Sequence, residues 1–225
     1  MSVKSELRKI AEEVFGNDIE KTKKDRVFFM PLVDKPEIMI IMQNPGTAQG
    51  WELDKLDKAH DLDKCLGIYN KALLDWLKSG KDFFEFFFQT INKFFTKLSK
   101  PLDRAKISEI FYFSDLCKLR TKRNIIEDYH MILREINIVK PKLILCFGGM
   151  AWSKFYNSDN ISIENQSQYD HYITQIHGDL LTFNNENVEI PFIPLVHMSP
   201  QAYGLTIKDS YFENLEEGLE EYNSL

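Results

Sequence analysis

The stretch "EIMIIMQNPG", residues 37–46, runs a short apolar segment straight into Asn44, Pro45 and Gly46, three residues that stop a strand abruptly. Three more runs have the same form: "EIFYFSDL" (109–116), "KLILCFG" (142–148) and "IPFIPLV" (190–196). Each is too short for a buried helix, is bounded by breakers, and shows no polar alternation, as expected of strands covered on both faces. Helical patterns fall between them, at 3–15, 65–78, 82–98, 123–138, 149–155 and 208–222. Strands alternating with helices predict a three-layer α/β/α sandwich around a central, mainly parallel four-stranded sheet.

In the 82–98 helix, "DFFEFFFQTINKFF" puts Phe84, Phe87, Phe88, Ile91 and Phe95 on one face with further rings around it, which predicts a deeply buried helix. Such a stripe is read as core and not as a base-binding groove. Lys140-Pro141 ends the 123–138 helix, because proline disfavours helix in the residue before it. The polar stretch 156–190, with "NSDN", "ENQSQ" and "NNEN", reads as surface loops or an edge hairpin. No repeat or Pro/Gly-rich hinge divides the 225 residues, so one domain over 1–225 is expected.

With 44% hydrophobic and 28% charged residues, the chain has the balance of a folded, water-soluble protein. The opening "MSVKSELRKIAEEVFG" mixes charges with apolar residues and lacks the unbroken apolar core of a secretion signal. No run reaches the ~18 apolar residues of a membrane span. A cytoplasmic, nucleoid-associated monomer without membrane partners is expected. Cys65, Cys117 and Cys146 are odd in number and widely spaced, which gives neither a closed disulfide set nor a metal knuckle. They are expected to be reduced, and no metal or other cofactor is implied. The formal charge of −6 does not advertise a nucleic-acid binder, yet acid concentrates in "ENLEEGLEEYNSL" and base in "KTKKDR" (21–26) and "CKLRTKR" (117–123).

In an open parallel sheet, ligands bind at the carboxyl ends of the strands. The residues able to do chemistry gather there: "QNPG" after the first run, "SDLCKLR" ending the second, "GGMAW" after the third and "HMSPQAYG" after the fourth. Asn-Pro-Gly alone is an ordinary turn, and a lone His197 at a strand end is an ordinary structural residue. Their order along the chain is more specific than either.

Taken in order, "MQNPG" and "HMSPQAYG" resemble the two motifs of the uracil-DNA glycosylase superfamily, the first in its asparagine version and the second in its histidine version with Met198 replacing proline. "YFSDLCKLR" (112–120) and "IVKPKLILCFGGMAW" (138–152) are similar to stretches of the iron-sulfur branch, whose cluster cysteines are absent here. The resemblance covers residues 38–204 as ordered islands. It implies a monofunctional DNA glycosylase of base-excision repair that hydrolyses the N-glycosidic bond of uracil or another damaged or deaminated base in DNA, flipped out of the stack. A member that binds nucleic acid or a nucleobase without cutting is the alternative.

In that scheme Asn44 positions water and His197 donates to the pyrimidine O2, stabilising the departing anionic base. Gln43 and Gly46 line the base pocket, with the glycine leaving room beside C5. Asp115 stands where relatives carry the base-reading asparagine, and Tyr69 is a candidate stacking partner. Ser199, Gln201, Tyr203, Lys118 and Arg120 are the expected DNA contacts, with Tyr203 filling the vacated stack. An ionised aspartate can only accept hydrogen bonds, so it would repel O4 of uracil, whereas a protonated one can also donate.

Overall fold

A computed structural model describes residues 2–19, 35–42, 53–79, 82–99, 107–116, 118, 125–163, 172–185, 188–197 and 208–225. The four apolar runs become β1 (Ile38–Met42), β2 (Phe111–Asp115), β3 (Leu143–Phe147) and β6 (Val188–Leu195). They lie parallel and side by side in the order β2-β1-β3-β6. The sheet has six strands where four were expected, because β4 (Ile161–Ser162) and β5 (Leu181–Asn185) extend it antiparallel beyond β6. The polar stretch 156–190 therefore supplies an edge hairpin. Short, polar edge strands of this kind blunt a sheet margin.

The helices among the described residues are α1 (Val3–Phe15), α2 (Leu53–Leu56), α3 (Leu62–Ser79), α4 (Asp82–Phe94), α5 (Ile107–Ile110), α6 (Ile125–Val139), α7 (Gly149–Tyr156) and α8 (Lys208–Ser224). Ser2 caps α1, its hydroxyl accepting from the Ser5 N–H at 3.2 Å. Helix α6 stops where the sequence requires: Lys140 turns left-handed at φ 47° and Pro141 follows.

Alternation along the strands divides the core in two. On one side, Phe87 of α4 meets Phe147 at 5.8 Å and Phe88 meets Phe111 at 5.7 Å. On the other, Phe155 of α7 meets Phe192 at 5.1 Å and Tyr129 of α6 meets Phe155 at 5.2 Å. Helix α4 is less deeply buried than its composition suggested. Phe87, Phe88 and Ile91 face the core, with Phe95 just beyond the helix end, while Phe86 is 46% exposed and Gln89, Asn92 and Lys93 look outward.

At the amino ends of the strands a clamp closes the fold. The Glu37 carboxylate accepts from Lys142 at 2.6 Å and from the Ser99 N–H at 2.9 Å, and the Tyr222 hydroxyl of α8 donates to the Lys142 carbonyl at 3.3 Å. Burial alone would raise the Glu37 pKa, but the bonds from Lys142 and Ser99 outweigh it and hold the pKa below its ordinary value. With structural duty at this end, the opposite end carries the candidate chemistry. Cys65 and Cys146 are buried thiols outside any disulfide. No described helix is long and apolar enough to cross a membrane, and the described residues hold no group of side chains able to bind a metal ion.

Candidate active site

Parallel register brings the carboxyl ends of the central strands to one margin. Met42 pairs with Asp115, and the Met42 carbonyl accepts from the Leu116 N–H at 2.7 Å. Phe147 pairs with Leu195, whose carbonyl accepts from the Gly148 N–H at 2.9 Å. Gly148 holds φ 98°, a conformation that favours glycine, and this lets β3 turn directly into α7. Asp115 ends β2 and His197 follows β6 by two residues, so they lie on the two flanks of the margin, on strands three spacings or ~14 Å apart.

Asp115 is 1% exposed, and neither carboxylate oxygen has a hydrogen-bond partner. Burial is the largest influence on it and pushes its pKa up to about 7; Lys118 pulls the value down and Glu135 pushes it further up. Buried polar atoms normally find partners, and those that do not call for an explanation.

Lys118 is 1% exposed and not the surface cation expected of a phosphate contact. Its Nζ lies 2.8 Å from Oε1 of Glu135 on α6 and donates to the Ser114 hydroxyl, which in turn donates to Oε2 of Glu135. A lysine so enclosed is held by its counter-ion and has no route to DNA. Tyr69 is likewise corrected: it is fully buried, with its ring packed against Phe15 of α1 at 6.0 Å, and it has no open face on which a base could stack. Gln43, Asn44, Gly46, Arg120, Ser199, Gln201 and Tyr203 lie outside the described residues.

His197 is exposed as a residue, yet neighbouring protein desolvates its ring enough to lower its pKa below the ordinary histidine value. The imidazole is therefore neutral near neutral pH, with one N–H to donate. Its position is fixed from behind by groups the sequence did not single out. Beyond Phe192, where β5 ends, the turn around His177 replaces the missing strand: the Gly178 N–H donates to the Pro194 carbonyl at 2.9 Å, and the Val196 N–H donates to Nδ1 of His177 at 3.2 Å. Pro194 is tolerated in this interior strand because its missing N–H falls on the side where no strand lies. The Val196 carbonyl accepts from the Tyr211 hydroxyl of α8 at 3.2 Å. Val196 is thus held at both polar groups, one residue before His197.

His177 packs on Tyr211 with ring centroids 4.2 Å apart, and its Nε2 meets the Tyr211 carbonyl at 3.2 Å. With Nδ1 accepting, Nε2 carries the proton. Burial lowers the His177 pKa to about 4. Of the missed residues, Glu135 left a legible trace: a carboxylate on the apolar stripe of α6, beside Ile132, Ile136 and Val139. His177, in a polar loop, left none.

No curated protein matches the chain. The model of the Uracil DNA glycosylase superfamily matches residues 30–220, and the chain belongs to that superfamily.

Proposed function

We propose that the protein is a DNA base-excision glycosylase that hydrolyses the N-glycosidic bond between deoxyribose and uracil, or another damaged or deaminated base, without a lyase step. The observation that carries this reading is the buried, unpartnered carboxyl of Asp115 at the same sheet margin as His197. A desolvated polar group without a protein partner can serve a ligand, and family membership supports a nucleobase in that role.

Cleavage builds positive charge on the sugar and negative charge on the leaving base. His197, neutral and able to donate, stabilises the departing base at its O2. Asn44, two residues past the end of β1, orients the water. Because an amide is no general base near neutral pH, the rate rests on leaving-group stabilisation, so the chemistry is slow and favours bases that leave readily. Gly46 and Gln43 line the pocket, and Ser199, Gln201, Tyr203 and Arg120 engage the DNA.

The alternative of a member that binds without cutting draws on Asp115 in place of asparagine and on Met198 in place of proline. One experiment separates the two. Single- and double-stranded oligonucleotides bearing uracil, hypoxanthine, xanthine or 5-substituted pyrimidines are incubated with the protein and treated with alkali, with Asn44→Ala and His197→Ala in parallel. Strand scission that is lost in both variants supports the glycosylase. Binding without scission supports the alternative, and neither binding nor scission overturns both.

A further inference from the structure

The glycosylase reading leaves unexplained why a carboxyl, and not an amide, stands buried at the margin beside a lysine it does not contact. Asp115, Lys118 and Glu135 are all inside the protein, at 1%, 1% and 0% exposure. Fully ionised, the three groups would leave one net negative charge in a dry interior, which is strongly disfavoured. Keeping one proton makes the trio neutral.

The ion pair and the one hydroxyl bond decide where that proton sits. Glu135 has a cation against one oxygen, the Lys118 Nζ at 2.8 Å, and accepts from the Ser114 hydroxyl on the other. Asp115 accepts nothing. Tyr112 and Ser114 alternate to the face of β2 that meets Glu135, whereas Asp115 alternates to the other face, so the pair acts on it through space. On β1 its paired neighbour is Met42, which does not titrate. Tyr112, buried and pushed well above its ordinary pKa by desolvation and by Glu135, is neutral as well.

We propose that Asp115 meets the flipped base as a neutral carboxylic acid, kept protonated because Glu135 holds Lys118, and that it reads a lactam edge with its O–H donating to the base carbonyl and its C=O accepting from the adjacent ring N–H. In this form the acid presents the donor and acceptor that an amide would present. The inference rests on the glycosylase reading for the identity of the ligand, but the protonation claim stands apart from it. Uracil and hypoxanthine both carry the lactam edge. Once ionised, Asp115 offers two acceptors and repels the carbonyl.

The protonated carboxyl is followed directly by its carbonyl stretch in the infrared difference between the wild type and Asp115→Asn. The expected band is present in mildly acid solution and fades as pH rises through about 7; a band already absent there overturns the proposal. In Glu135→Gln, which releases Lys118, the fade should move to lower pH. Should that variant fail to fold, the wild-type titration still decides. On uracil or hypoxanthine oligonucleotides, the wild-type single-turnover rate should fall about tenfold per pH unit on the alkaline side, while Asp115→Asn stays flat there. A rate that instead rises with pH, or wild type and variant with the same profile, also overturns the proposal. Absence of cutting at every pH removes the glycosylase reading and leaves the infrared result to judge the protonation state.

Discussion

His177 accepts the Val196 N–H at 3.2 Å on Nδ1, so a side chain completes the hydrogen-bonding edge of β6 one residue before His197. This bond requires a neutral imidazole, and burial holds the pKa at about 4 against an ordinary 6.5. Between those values the unfolded chain binds the proton and the folded one does not. Stability is therefore full above pH 6.5 and declines as pH falls toward 4. The loss from this group should approach about 3 kcal/mol. Urea denaturation of the wild type and His177→Gln over this range measures it. The variant should be less stable near neutral pH and should lose less of its stability on acidification.

The turn that carries His177 rests on α8 through two glycines. Gly178 has φ 93°, and a Cβ on Gly218 would meet the Gly178 carbonyl oxygen at 2.1 Å. That neighbour is backbone and cannot rotate aside, so Gly218→Ala forces α8 off the turn even though alanine is the better helix former. The expected cost is about 1–3 kcal/mol. An alanine placed instead at Gly67, where a Cβ meets nothing within 4 Å, should be neutral or stabilising. Paired urea curves for the two variants check the contrast.

Which features were readable from sequence follows from which ones are periodic. Four apolar runs and six helical patterns announced the sheet and its layers, because burial on both faces leaves an uninterrupted signature. The added β4 and β5 were obscured by the polar composition that suits an edge. At the candidate site, the positions of Asp115 and His197 at the ends of apolar strands were legible. The roles of Lys118 and Tyr69 were misread because burial is a tertiary property: the same "CKLRTKR" basic run holds a lysine whose partner, Glu135, is 17 positions away on another element. His177 depends on a contact with Val196 that no local pattern encodes.

Lys118 and Glu135 make the misreading testable. Lys118→Met leaves the Glu135 carboxylate uncompensated in the interior, and removing one partner of a buried pair costs about 3–5 kcal/mol. The double variant Lys118→Met, Glu135→Leu removes both charges and should recover most of that loss. A surface phosphate contact behaves differently: its removal would leave stability alone and lower the salt slope of DNA binding by about one contact's worth. Chemical denaturation together with binding titrations at several salt concentrations discriminates. A stable Lys118→Met protein with a reduced salt slope would return the residue to the DNA interface.

His197 and His177 differ in role although twenty positions and one backbone residue link them. In the proposed mechanism His197 is the donor aimed at the leaving base, and His177 holds the strand that presents it. Removing a donor that acts as charge develops should lower the single-turnover rate by about 10²–10³-fold while leaving substrate binding nearly intact. His197→Gln keeps a donor of similar reach and should recover part of the loss; His197→Leu should not. His177→Gln should weaken rate and binding together, and its defect should lessen on cooling or with a stabilising osmolyte, because its origin is a loosened β6 end. Single-turnover kinetics and equilibrium binding with a uracil-containing oligonucleotide, run on all three variants, separate the two outcomes. Equal defects in His197→Leu and His197→Gln that fall on binding alone would show that His197 grips the DNA and takes no part in bond cleavage.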